Sequence, residues 1–220
     1  MVDNLSGGAS VHESAYDIGK VLWLTGLSGA GKSTIAGELA KTLIKESMHV
    51  IILDGDNIRK GLCKDLGFSQ EDRSENVRRI AEVCKLFSDV GVTVISSFIS
   101  PTISCREMAR EIIGEPFREV FVSCPLEVCE KRDVKGLYKK ARAGEIKDFT
   151  GISSAYDIPE NPDIIVETNI DDVKSCVDTI MGEYKKQIYE IDKPANSKFW
   201  YNNTIELYSD AYLKSIEEGS

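Results

Sequence analysis

Nine consecutive residues, Gly26-Leu27-Ser28-Gly29-Ala30-Gly31-Lys32-Ser33-Thr34, match G-x-x-x-x-G-K-[ST]. Such a loop binds phosphate. Its glycines let the backbone turn back and approach a ligand closely. Successive N–H groups then converge into an anion nest. Lys32 is spaced to reach the outer phosphates, and the Ser33 hydroxyl to bind Mg²⁺. Carboxylates stand at a second point, Asp54-Gly55-Asp56, directly after an apolar run. Phosphoryl transfer needs these parts: a cradle for the donor phosphates, a cation, and a carboxylate beside the acceptor hydroxyl.

The flanks supply the context that the motif requires. Val21-Leu22-Trp23-Leu24-Thr25 reads as a buried parallel strand. After the loop, Ile35, Ala36, Leu39, Ala40, Leu43 and Ile44 recur at helical spacing. The helix N-terminus adds its dipole to the anion site. Strands and helices then alternate. Val50–Leu53, Val92–Ile95, Val120–Val122 and Ile164–Val166 read as strands. Helices are expected from Ser69 or Asp72 to Asp89, from Pro101 to about Ile113, from Pro125 onward, and from an Asp171 cap to about Lys186. The pattern predicts an α/β fold: a P-loop NTPase-type three-layer α/β/α domain with a five-stranded parallel sheet. Ligands of such sheets bind at the carboxyl ends of the strands. The phosphate loop, Asp54, Asp56, Ser97–Ser100 and Cys124 all fall there.

Composition narrows the class. The chain has 220 residues, 42% of them hydrophobic, enough for one α/β domain. We read residues 1–19 as an arm, 20–186 as the phosphate-loop domain and 187–220 as a helical extension. Ile205, Tyr208, Tyr212 and Ile216 recur at helical spacing in that extension. A net charge of -9 disfavours a nucleic-acid or membrane surface. Six cysteines without a C-x-x-C pair, and only two histidines, argue against zinc and for reduced, buried thiols. The first twenty residues lack the apolar core of a signal peptide, and no apolar run reaches the ~18 residues of a membrane span. The expected location is the cytoplasm, with an organellar matrix as the alternative.

Among phosphate-loop proteins, a GTPase would need an N/T-K-x-D after a late strand, and the chain has none. Asp133-Val134-Lys135-Gly136 fits D-x-x-G but lies in a basic segment, away from a strand end. Residues 132–150 are rich in Lys, Arg and Gly and read as a mobile lid that closes over phosphates.

At this point the sequence resembles the adenylyl-sulfate kinases. The matching stretches are Asp54-Gly55-Asp56-Asn57-Ile58-Arg59, Asp65–Ser69 with Asp72-Arg73, Asn76–Arg79, Ser97-Phe98-Ile99-Ser100-Pro101, Arg132-Asp133, Lys135–Gly144, Phe149–Ile152 and Pro159–Pro162. The resemblance covers about residues 19–186. It implies phosphorylation of the 3′-hydroxyl of adenosine 5′-phosphosulfate by MgATP, in a homodimer functionally linked to an ATP sulfurylase. It also implies the roles. Gly26 to Thr34 and Arg132 would hold ATP, with Mg²⁺ on Ser33. Lys32, Asp56 and Ser100 form the catalytic group, Asp56 orienting the 3′-hydroxyl and accepting its proton, with Asp54 nearby. Arg59, Arg73 and Asn76 would bind phosphosulfate and ribose. Phe68 and Phe149 would sandwich the acceptor's adenine, with Lys147 and the Ile99 backbone completing the pocket. The family's serine can carry phosphate, but a nucleophilic serine needs an adjacent base. The sequence offers none, so direct in-line transfer is expected, with Ser100 lining the acceptor site. Four positions depart from the family pattern: Thr102-Ile103 replace Tyr-Arg, Cys63 an Asn, and Val134 a Pro. Arg106 still matches a later family arginine. Other small-molecule kinases, and a regulatory subunit without catalysis, are the competing readings. Intact Lys32, Ser33 and Asp56 argue against the second, and the paired phenylalanines favour a nucleotide acceptor over a sugar.

Overall fold

The computed structural model describes residues 19–189, with side chains to residue 186. Five parallel strands lie in the order β2-β3-β1-β4-β5. They are β1 (Val21–Thr25), β2 (Val50–Asp54), β3 (Thr93–Ser97), β4 (Phe117–Ser123) and β5 (Ile164–Glu167). Alternation along each strand feeds two cores. Leu22, Leu24, Ile95, Val120, Val122 and Val166 face α1 (Lys32–Lys45) and α7 (Val173–Tyr189). Val21, Trp23, Val94 and Phe117 face α3 (Gln70–Asp89) and α4 (Ile103–Ile113). The expected three-layer α/β/α architecture is therefore present, and all six cysteines are buried free thiols.

Register levels the strand ends that carry chemistry. Leu24 pairs with Ser97, and Asp54 pairs with Ser97 from the other side. The phosphate loop after β1, Asp54 after β2 and the loop after β3 thus emerge side by side. Three further short helices lie near this edge: α2 (Gly55–Lys60), α5 (Leu126–Arg132) and α6 (Leu137–Arg142).

Several boundaries differ from the sequence expectation. β4 begins at Phe117, three residues early, because Arg118 and Glu119 interrupt the apolar run yet pair within the sheet. β3 runs on to Ser97, past the apolar Val94 and Ile95. The cap of α7 is Asp172, whose carboxylate accepts from Ser175 N at 2.7 Å, and not Asp171. Helices α2 and α6 were not expected. Each has six residues; α2 buries none, and α6 turns only Tyr138 and Ala141 inward. Such short elements carry no measurable period. The predicted arm (residues 1–18 of it) and residues 190–220 of the predicted extension lie outside the described residues.

Among described residues, no helix is long and apolar enough to cross a membrane. Leu39 is fully buried between α1 and the sheet. Leu39→Ala should therefore cost about 2–5 kcal/mol, the range for a large-to-small core change, read as a lower urea midpoint with unchanged slope. A loss below about 1 kcal/mol would contradict this packing.

Candidate active site

The phosphate loop is built so that its N–H groups can face a ligand. Every carbonyl from Gly26 to Gly31 is taken. Lys32 Nζ donates to Gly26 O and Leu27 O, both at 2.8 Å. Tyr138 Oη donates to Ser28 O at 2.8 Å, and Arg132 to Gly29 O at 3.2 Å. Thr168 Oγ1 donates to Ala30 O at 2.8 Å, and Ile35 N to Gly31 O at 3.0 Å. Gly26 has φ 149°, and a Cβ there would meet Val122 O at 2.5 Å, so only glycine fits. No side chain caps α1, which leaves its first N–H groups for an anion.

Lys32 is 8% exposed. Burial pushes its ammonium down to about 8, with Cys129 and Asp54 pulling the other way. The Ser33 hydroxyl donates to Asp54 Oδ2 at 3.0 Å and lies 3.5 Å from Ser97 Oγ. Asp54 also caps α2, its Oδ1 accepting from Asp56 N at 3.0 Å. One carboxylate thus joins the phosphate loop to the segment carrying Asp56. The exposed Asp56 carboxylate pairs with Lys135, 79 residues further along the chain.

A second cluster lies around Phe68, which is 59% exposed. Arg59 sits 4.4 Å and Arg73 5.7 Å from its ring centre. Arg59 donates to Gly67 O at 2.9 Å. Arg73 donates to Phe68 O at 2.9 Å, and reaches Asp148 O at 2.6 Å and Thr150 Oγ1 at 3.1 Å. It therefore ties the start of α3 to the end of the basic segment. Asn76 on α3 is buried, and its Nδ2 has no hydrogen-bond partner among the described residues. Lys147 is exposed.

Two residues with expected roles are buried and held by partners elsewhere in the chain. Phe149 is one of the two rings that the resemblance assigns to the acceptor's adenine. It is 9% exposed and meets Tyr138 edge-on at 5.0 Å. It packs inward because the 149–154 turn folds back: the amides of Ile152, Ser153 and Ser154 all donate to Phe149 O. Ser100 is the second such residue. Its hydroxyl is buried and accepts from Trp23 Nε1 at 3.0 Å, and among the described residues no base is hydrogen-bonded to it. Its backbone has φ 44°. Arg106 holds this turn, donating to Ser100 O and Asp157 O, each at 2.8 Å. The Arg106 guanidinium lies 2.8 Å from Glu119 as an ion pair. Ile99 O accepts from Thr25 Oγ1 at 2.7 Å. The departing residues also have structural places. Thr102 caps α4, Cys63 is buried and Val134 is 90% exposed.

Sequence reasoning assigned no role to Tyr138, Lys135 or Thr168. Tyr138 and Lys135 lie within the family-like stretch Lys135–Gly144, but nothing in their spacing marks them as partners of Ser28 and Asp56. Thr168 follows the last strand, where only topology brings it to the loop.

A family model described as adenylylsulphate kinase matches residues 18–167. An adenylyl-sulfate kinase of Clostridium kluyveri is 58% identical over 172 residues, 78% of this chain and 86% of the relative. Among solved structures, a Mycobacterium tuberculosis APS kinase in complex with AMPPNP and APS superposes with TM-score 0.74 at 44% identity. The match covers 76% of this chain and 98% of that one. A hexameric APS kinase from Thiobacillus denitrificans matches at 28% identity and TM-score 0.59, over 79% of this chain and 30% of that one.

The low proton affinity of Lys32 has a measurable consequence. Bound phosphates raise its pKa, so the nucleotide complex holds more protons above about pH 8 than the free protein does. ATP binding at pH 8–9 should take up protons, and affinity should fall as pH rises through that window. Calorimetry in two buffers of different ionisation enthalpy reads the uptake, which Lys32→Met should remove. Buffer-independent heats would contradict this account.

Proposed function

The chain belongs to the adenylyl-sulfate kinase family, and from that premise we propose the part each residue takes in the reaction. The protein is an ATP-dependent kinase of adenosine 5′-phosphosulfate. In the proposed reaction the γ-phosphoryl of ATP passes to the ribose 3′-hydroxyl, giving ADP and 3′-phosphoadenosine 5′-phosphosulfate. The observation that carries the proposal is the 3.0 Å contact between Ser33 and Asp54. It brings the donor cradle against the segment that bears the acceptor's candidate base.

On this reading the loop N–H groups and Lys32 hold the β- and γ-phosphates, and Arg132, already on Gly29 O, flanks the ATP. Ser33, Asp54 and Ser97 offer close-set oxygen atoms, the donor type that Mg²⁺ prefers. The ion, when bound, neutralises charge on the transferring phosphate. Asp56 orients the 3′-hydroxyl and takes its proton. Lys135 occupies the Asp56 carboxylate in this arrangement, an exposed pair that is worth little by itself. Arg59 and Arg73 present planar forks to the phosphosulfate. The Asn76 amide, which has no partner among the described residues, offers a donor for the ribose or an anionic oxygen. Phe68 offers an exposed ring face for adenine, and Phe149, with Lys147 and the Ile99 backbone, closes the other side of the pocket as the 132–150 lid moves. Transfer is direct, since the Ser100 hydroxyl is already engaged by Trp23. Ser100 contributes its backbone shape to the acceptor side. For assembly and context we favour a homodimer, a cytoplasmic location, and an ATP sulfurylase as the source of the acceptor.

Release of ADP should occur with adenosine 5′-phosphosulfate and not with sugars or unmodified nucleosides. The opposite preference would overturn the assignment. Asp56→Asn should lower turnover by about 10²–10⁴-fold, the usual worth of a general base, with acceptor binding little changed. A loss below about threefold would move the role to Asp54 or to positioning alone.

Phe68→Ala should weaken acceptor binding by roughly tenfold to a hundredfold, since one stacked base is worth about 1–3 kcal/mol and 1.36 kcal/mol is tenfold. Its exposure means that the melting temperature should hold. Phe149→Ala should both weaken the acceptor and cost about 3–5 kcal/mol of stability as a buried ring. Unchanged acceptor affinity in both variants would rule out the stacking site.

A further inference from the structure

Tyr138 touches both halves of the site and has no part in the mechanism above. It is the second residue of α6 and is 2% exposed. Its backbone is fixed by Asp133, whose two oxygens accept from Tyr138 N and Lys139 N, each at 3.0 Å. Its hydroxyl donates to Ser28 O at 2.8 Å, and its ring meets the Phe149 edge at 5.0 Å and 76°. Burial pushes the phenol well above its ordinary range, so it remains an O–H donor at any physiological pH.

The bond to Ser28 engages one particular peptide unit. The carbonyl of Ser28 and the N–H of Gly29 belong to the same amide. In a phosphate loop that N–H faces the anion nest while the carbonyl turns away. Hydrogen bonds at the two ends of one amide polarise each other and strengthen together. A phosphate on the inner side therefore makes Ser28 O a better acceptor for Tyr138, and a firmer Tyr138 holds the ring against which Phe149 packs.

We propose that Tyr138 is a positioning residue that couples the donor loop to the acceptor ring Phe149, so that a nucleotide in the loop tightens binding of adenosine 5′-phosphosulfate. The coupling is reciprocal: the acceptor must tighten the nucleotide by the same factor. The proposal rests on the reading that Phe149 lines the acceptor pocket.

The test measures acceptor affinity by calorimetry, with and without saturating MgADP, in the unaltered protein, Tyr138→Phe and Phe68→Ala. Tyr138→Phe keeps the ring on Phe149 and removes only the donor. In the unaltered protein MgADP should tighten the acceptor by a factor in the usual coupling range, about 5- to 150-fold. In Tyr138→Phe that factor should fall to within about threefold of unity, with acceptor affinity in the absence of MgADP little changed. A factor of one in the unaltered protein, or an undiminished factor in Tyr138→Phe, overturns the proposal. Phe68→Ala separates the two readings. If it leaves acceptor affinity untouched, the pocket itself is misassigned. If it weakens the acceptor while Tyr138→Phe keeps full coupling, only the coupling fails. Hydrogen exchange on the unaltered protein gives a check without substitution. MgADP alone should slow the amides of residues 149–154, and no slowing counts against the proposal.

Discussion

A peptide chain can offer a row of N–H groups to an anion only if the matching carbonyls are satisfied elsewhere. Buried, unpaired carbonyls are costly. The structure answers this constraint carbonyl by carbonyl around residues 26–31. Lys32 serves two, and Tyr138, Arg132 and Thr168 serve one each. The donors come from α1, from the end of α5, from α6 and from the turn after β5. The loop's shape is therefore a joint product of segments spread over more than a hundred residues. A nine-residue motif is only the inner surface of that arrangement.

Asp54 carries the next level of organisation. Its two oxygens hold the start of α1 and the start of α2 together. Arg73 does the equivalent beside Phe68, linking α3 to residues 148 and 150. Two charged side chains thus set the spacing between the phosphate loop, the turn that carries Asp56 and the basic segment 132–150. Their value lies in geometry: an exposed ion pair alone contributes little, whereas a misplaced reacting group costs orders of magnitude in rate.

The sheet was legible because four of its five strands are apolar runs bounded by turn residues, and helices α1, α3, α4 and α7 are long enough to show a period. The donor loop, Asp54 and the Arg59/Arg73/Phe68 cluster were legible from motif and order. What escaped has identifiable causes. Helices α2 and α6 are too short to show periodicity. β4 opens on Phe117 and then two charged residues, of which Glu119 meets Arg106 and Arg110 only in three dimensions. Phe149 is flanked by polar neighbours along the chain, yet a tight turn carries it into the core. The inward turn of the Ser100 hydroxyl depends on Trp23, 77 residues away, which no local pattern reveals.

The Ser100 turn has one more implication. A non-glycine residue at φ 44° costs of order 1–3 kcal/mol and persists only when its surroundings enforce it. Here Trp23 grips its hydroxyl, Arg106 its carbonyl, and Glu119 neutralises Arg106 from behind. All of these groups belong to the folded core. The strain is met when the domain folds, and an incoming ligand finds the loop preorganised. Affinity on that side need not be spent on ordering the backbone. The grip on Ser100 itself comes from Trp23 and Arg106, so a change in the side chain of Thr102 or Ile103 removes neither of these bonds.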